Sequence, residues 1–400
     1  MFIKLPFFLI CFSLTAQYNF DKLKERMHQF VDENELVGIQ TMIIKDDKQI
    51  FSDTYGFADI ENQEKLKFNS IFRIGSITKC IAVIGIMKLF DKGYFKLDDP
   101  IGKYIPEFND LYVYQLDGTL KPSIKNIKII DLLRHTSGIG KIYQPLKKKF
   151  DDLKLNRSFN LETEIRRMSQ IPLAVEPGTL WLYGPSISIA AYLVERLTDT
   201  NINDYLKKEI FEPLEMEDTY FEIPQHKRAR FTSWYLKNKD KGYQLLEDKT
   251  ESPFINKVTF FNPSGGLVST INDLSNLCSM LLNKGFFKGK WILKQQTVEL
   301  ISKDHLNGIQ NGRPTNTNHN PNDAIGFGLG FNVIKDIKKY PFPGSQGSYG
   351  WWGTPGTYLR IDPKQKMAMI LLTNMKGWNY SRREIFESLV YKSIFDFTEN

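Results

Sequence analysis

The chain is poor in the residues that cross-link a fold or hold a metal ion. Three cysteines and five histidines are spread over 400 residues. Cys11, Cys80 and Cys278 lie far apart with no Cys-x-x-Cys pair, so neither a disulfide framework nor a thiolate metal site follows. His-x-x-x-His is absent too, and the chain is expected to need no metal and no cofactor. There is no Gly-x-Ser-x-Gly elbow, which argues against an α/β-hydrolase fold. No apolar run reaches the roughly 20 residues of a membrane-spanning helix. Nor is the charge of one sign: 53 Lys+Arg stand against 46 Asp+Glu, a net charge of +7. The basic clusters at 147–149, 227–230 and 237–241 form no single stripe and accompany no nucleic-acid motif. They read as solvated surface, with no nucleic-acid partner.

The first residues look like an export leader: Lys4, an apolar stretch over 5–14, then Thr15-Ala16-Gln17 as a cleavage site. Cleavage after Ala16 is expected, leaving an exported protein, periplasmic or secreted. Ile10 before Cys11 is not the small residue that a lipid-anchor site favours. Cys80 and Cys278 then read as small buried apolar residues.

Periodicity sets the expected fold. A helix near 20–30 precedes two strands, 39–44 and 49–57, with Asp46-Asp47-Lys48 as a hairpin turn. The stretch from about 100 to 255 reads as mostly helical, notably 186–197 and 202–210, and a further helix is expected at 271–282. The span 305–323 is a polar Asn/Pro/Gly loop; 327–333, 356–361 and 367–373 look strand-like, and 381–395 helical. Strands at both ends of the chain predict an α/β fold of the α+β type: an antiparallel sheet flanked by helices, with an inserted mostly helical lobe. The expected division is a leader over 1–16 and one catalytic domain over 17–400. Its α/β lobe comprises about 17–75 and 256–400, and the helical lobe about 76–255.

Ser76-Ile77-Thr78-Lys79 is the most informative stretch. It opens an apolar run, Cys80 to Met87, that has no polar face and should be buried. Residues three apart share one face of a helix, which brings the Lys79 amine beside the Ser76 hydroxyl. A serine is a weak nucleophile until a neighbouring base takes its proton, and a lysine in that place can serve. Three further clusters accompany the pair. Glu176-Pro177-Gly178-Thr179-Leu180-Trp181-Leu182-Tyr183 sets a tyrosine just before a helix start, where it can act as acid or base. Pro263-Ser264-Gly265-Gly266 is a Gly-rich turn leading into another helix, and Gly350-Trp351-Trp352-Gly353-Thr354-Pro355-Gly356-Thr357 is aromatic and punctuated by glycine.

With these residues the chain resembles the serine β-lactamase and penicillin-binding protein superfamily, most closely the class C β-lactamases and the family VIII carboxylesterases. Ser-x-x-Lys is a signature of that superfamily. Asp131-Leu132-Leu133-Arg134-His135-Thr136-Ser137-Gly138, the Pro-Gly-x-x-Trp-x-Tyr at 177–183, and Gly326-Phe327-Gly328-Leu329-Gly330 also match, so the resemblance runs from about residue 35 to 375. It implies Ser76 as the acylated nucleophile, Lys79 as its partner and Tyr183 as a proton relay. The backbone N–H groups of Ser76 and Thr354 would form the oxyanion hole, and Trp351, Trp352 and Gly353 would line the substrate site. His135, Ser137 and Ser264 read as structural turn residues.

The chain departs from the family pattern twice. Pro185 stands where class C enzymes have the Asn of Tyr-x-Asn, and Trp351 stands where Lys-Thr-Gly supplies a cation. Both changes remove polar groups that a β-lactam uses and leave those of acyl transfer. The expected function is therefore a serine hydrolase that cleaves a small ester or amide, or a peptide, through an acyl-enzyme. The alternatives are a D-alanyl-D-alanine carboxypeptidase or weak β-lactamase, and a binding or sensor domain that retains the fold.

Overall fold

The computed structural model describes residues 18–153, 159–238, 242–311, 324–376 and 380–395. The expected leader and Cys11 lie outside the described residues, as does most of the polar 305–323 loop. Among the described residues no helix is long and apolar enough to cross a membrane.

Helix α1 (Asp21–Asp32) leads into strands β1 (Gly38–Lys45) and β2 (Lys48–Asp59). Asp46 and Asp47 take φ of 48° and 62°, as the tight turn of this hairpin demands. Helix α2 (Ile77–Asp91) follows, then α3 (Ser186–Thr198) and α4 (Ile271–Leu282). The tail supplies β3 (Ile325–Phe327), β4 (Asn332–Ile334), β5 (Tyr349–Gly353), β6 (Thr357–Asp362), β7 (Met367–Thr373) and helix α5 (Tyr380–Phe395). The sheet runs β3-β4-β5-β6-β7-β1-β2, with Glu64–Lys65 on the far edge, and each neighbouring pair is antiparallel. Its centre joins the two ends of the chain, with Ile39 opposite Thr373 and Lys45 opposite Met367.

Alternation sorts the strands between two cores. Ile39 and Ile43 of β1, with Met367, Met369 and Leu371 of β7, face α1 and α5. Met42, Ile44, Ala368, Ile370 and Leu372 face the larger core that contains α2, α3 and α4. Helix α2 is buried on all sides, with Ile77 through Met87 shielded from solvent, as its unbroken apolar run dictates. Cys80 and Cys278 are free thiols buried in α2 and α4, and burial pushes both well above the ordinary cysteine range.

Two expectations need correction. The run 327–333 is not one strand. It is the end of β3, a turn at 328–331 and the start of β4, because Gly330 has φ of 78° and reverses the chain against Val83 of α2. The stretch between 100 and 255 holds helices but also strand pairs, Tyr112–Tyr114 with Leu120–Pro122 and Trp234–Asn238 with Gly242–Glu247. Lysine and asparagine in these strands dilute the two-residue alternation that would have marked them.

Candidate active site

Ser76 occupies the N-cap position of α2, and its hydroxyl accepts no capping hydrogen bond. Two neighbouring segments fix the backbone around it. On one side Thr357 donates its hydroxyl to the carbonyl of Ile74 at 3.0 Å. On the other, the N–H of Leu267 donates to Thr78 Oγ1 at 3.1 Å, and that of Ile74 to the carbonyl of Leu267. Between Ile74 and Ser76, Gly75 adopts φ of 50°. A Cβ at this position would sit 2.6 Å from Pro355 Cδ and 3.0 Å from the Thr354 nitrogen. Glycine is therefore what lets the β5–β6 turn lie against the start of α2. The Thr354 nitrogen consequently lies against Gly75, the residue just before Ser76.

Lys79 lies one turn further on and is almost fully buried, at 6% exposure. Its Nζ is 3.5 Å from Ser76 Oγ and donates to the Ser264 carbonyl at 2.5 Å. The same amine is 5.0 Å from the centroid of the Tyr183 ring. Tyr183 is half-buried, and its hydroxyl accepts from Trp351 Nε1 at 3.3 Å. Ser76, Lys79, Tyr183 and Trp351, from three separate stretches of sequence, thus share one cleft.

A buried acid explains how the tyrosine segment is held. Asp131 accepts from the N–H of Lys128, from Arg134 and from the Thr136 hydroxyl, which shapes the 131–136 turn. The carbonyls of His135, Thr136 and Gly138 then accept from the N–H groups of Leu182, Gly178 and Ala174 at 2.7–2.8 Å. The Asp-Leu-Leu-Arg-His-Thr-Ser-Gly stretch is thus a rack for the residues before Tyr183. His135 serves here through its backbone, with φ of 59°. Its buried ring packs against Trp181, Tyr183 and Phe327.

The two tryptophans take different places. Trp351 is buried, 5.2 Å from the Tyr183 ring and 5.3 Å from Phe327, and walls the cleft. Trp352 stacks on Trp351 at 4.0 Å and touches both cores, with the Arg383 guanidinium 5.3 Å from its ring. Gly353 is pressed against the Ile74 carbonyl, where a Cβ would lie 2.2 Å away. Pro185 begins α3 and brings no side-chain hydrogen bond into the cleft. Ser188, which the sequence reading passed over, lies one turn into α3 with its Oγ 2.8 Å from Ser264 Oγ. A hydroxyl in the first turn of a helix that opens from the tyrosine segment was the available signal.

Among the described residues no group of His, Cys, Asp or Glu is placed to hold a metal ion. A cavity of about 570 Å³, lined by Phe211, Met216, Tyr220, Phe261 and several glutamates, contains none of the cleft residues. The cleft is instead a junction of α2, the 262–266 turn, the tyrosine segment and β5.

Comparison with known proteins gives this geometry its context. A family model described as Beta-lactamase matches residues 23–390. The uncharacterized protein MT1414 of Mycobacterium tuberculosis is 28% identical over 370 residues, covering 88% of this chain and 90% of that protein. Esterase EstB of Burkholderia gladioli is 24% identical over 383 residues, covering 91% and 92%. The unliganded, selenomethionyl Simvastatin Synthase (LovD) from Aspergillus terreus has the same fold, with a TM-score of 0.78 at 20% identity, covering 96% of this chain and all of that one.

Proposed function

The chain belongs to the Beta-lactamase family, and on that premise we propose that it is a serine hydrolase that cleaves neutral esters through an acyl-enzyme. The observation that carries the proposal is the approach of the Lys79 amine to within 3.5 Å of Ser76 Oγ, with the same amine over the Tyr183 ring. In the proposed reaction Ser76 Oγ attacks the substrate carbonyl and passes its proton to Lys79. The N–H groups of Ser76 and Thr354 hold the oxyanion. As the C–O bond breaks, Tyr183 hands a proton to the departing alkoxide and is reprotonated from Lys79. Water then attacks the acyl carbonyl by the reverse route and frees Ser76.

Trp351 supports the choice of a neutral substrate. It stands in place of a cation, and its indole N–H is already directed at Tyr183. A substrate carboxylate there forgoes a charge-assisted hydrogen bond, a loss of roughly ten- to hundredfold in affinity. EstB, an esterase by name, is consistent with this preference. Short p-nitrophenyl esters are therefore expected to give a far higher kcat/KM than nitrocefin or a peptide ending in D-Ala-D-Ala. Nitrocefin turnover equal to ester turnover would transfer the assignment to the β-lactamase reading, and a fluorophosphonate-inert protein would transfer it to a binding domain.

Tyr183→Phe tests the relay. It keeps the ring under Lys79 and removes the hydroxyl, so the rate should fall roughly a hundred- to ten-thousandfold. Stability should drop by only about 1 kcal/mol, the hydrogen bond to Trp351. A variant that melts early yet keeps its rate per folded molecule would make Tyr183 a packing residue.

A further inference from the structure

Ser264 and Ser188 lie outside the reaction just described, yet Ser264 touches its base and Ser188 touches Ser264. The Lys79 amine donates to the Ser264 carbonyl, and the hydroxyl of that same residue is 2.8 Å from the hydroxyl of Ser188. Ser188 is buried at 2% exposure, on the helix that opens directly after Tyr183. Its N–H donates to the carbonyl of Pro185 at 2.8 Å, which sets its backbone in the first turn.

The turn that carries Ser264 is tied internally through Asn262. The Ser264 N–H donates to Asn262 Oδ1 at 2.9 Å, and the Gly266 N–H to the Asn262 carbonyl at 2.9 Å. Beyond the turn, the Leu267 N–H donates to Thr78 on α2. The turn is thus hung from α2 at one end, and Ser188 holds its middle to α3. Pro185 offers no side-chain hydrogen bond, and Ser188 ties the helix that follows Tyr183 to the hydroxyl of the residue whose carbonyl accepts from Lys79.

We propose that the Ser188–Ser264 hydroxyl pair is a latch that positions Lys79 for proton transfer from Ser76. Both serines are positioning residues, and the proposal rests on Ser76 and Lys79 being the nucleophile and base. An ammonium or amine nitrogen on four methylenes has many rotamers. The Ser264 carbonyl restricts Nζ to the one that also reaches Ser76, and small misplacements at a reacting centre are expensive.

The test compares wild type, Ser188→Ala, Ser264→Ala, the double variant and Ser264→Thr. Each is assayed with a short p-nitrophenyl ester and for its second-order rate of fluorophosphonate labelling, with the labelled serine mapped by mass spectrometry. Either alanine variant should lose roughly five- to tenfold in kcat and in labelling rate, the value of one hydrogen bond, with KM little changed. The double variant should lose no more than the worse single one, because one contact has been broken twice. Ser264→Thr keeps the hydroxyl and should recover most of the rate. A purely structural role predicts the reverse pattern, a lower melting temperature with the rate per folded molecule unchanged.

Labelling at Ser76 with equal rates in all five proteins would overturn the latch and leave the hydrolase reading standing. Losses that multiply in the double variant, or a threonine variant as slow as the alanine one, would also overturn it. A wild type labelled at some other serine would overturn both.

Discussion

Ser76→Ala should be inert to a fluorophosphonate and should lose ester turnover on the order of a million-fold, the scale of removing the nucleophile from a cooperative catalytic set. The fold should scarcely register the change. Ser76 sits at the helix N-cap but its hydroxyl makes no capping bond, so the usual cost of about 1 kcal/mol for deleting a cap does not apply. Circular dichroism and the melting temperature should therefore match wild type. Covalent labelling of the variant at another serine, with turnover intact, would refute the site.

Lys79→Met should be nearly as damaging. Groups that act as a unit are lost almost completely when one is removed, so the rate should fall to within about tenfold of the Ser76→Ala background. Methionine keeps the apolar stem that α2 buries and deletes only the amine. It leaves the Ser264 carbonyl without that donor, at a cost of roughly 1–3 kcal/mol in stability. The informative measurement is labelling rate per folded molecule. Wild-type labelling in this variant would leave Tyr183 as the base and would remove the reason for Lys79 to be buried.

Whatever followed from local periodicity could be read before the fold was known. The Asp46-Asp47 turn, the buried run after Lys79, the helix at 271–282 and the alternation of 367–373 each depend on neighbours within a few residues. Ser76 and Lys79 share a face for the same reason. Features that depend on distant partners could not be read. Nothing around Ser188 indicates that the 262–266 turn will come to rest against it, 76 residues away in sequence. Trp351 and Trp352 are adjacent and identical, and only the path of β5 between the two cores gives one to the cleft and the other to both cores. His135 could be read as a turn residue from its sequence neighbours. Its place in an aromatic cluster depends on Trp181 and Phe327, which no local pattern connects to it.

The pairing of β1 with β7 has a consequence for how the molecule forms. Ile39 must wait for Thr373, more than 300 residues later in the sequence, so the central seam of the sheet cannot close until the chain has been made through residue 373. Such non-local pairing makes folding slow, because the entropy of closing a long loop is lost before the contacts form. In the interval α2 has no sheet to lie under, and a helix without a polar side is the segment least suited to waiting in water. The run that shields Lys79 in the finished protein is, during synthesis, the surface most in need of protection.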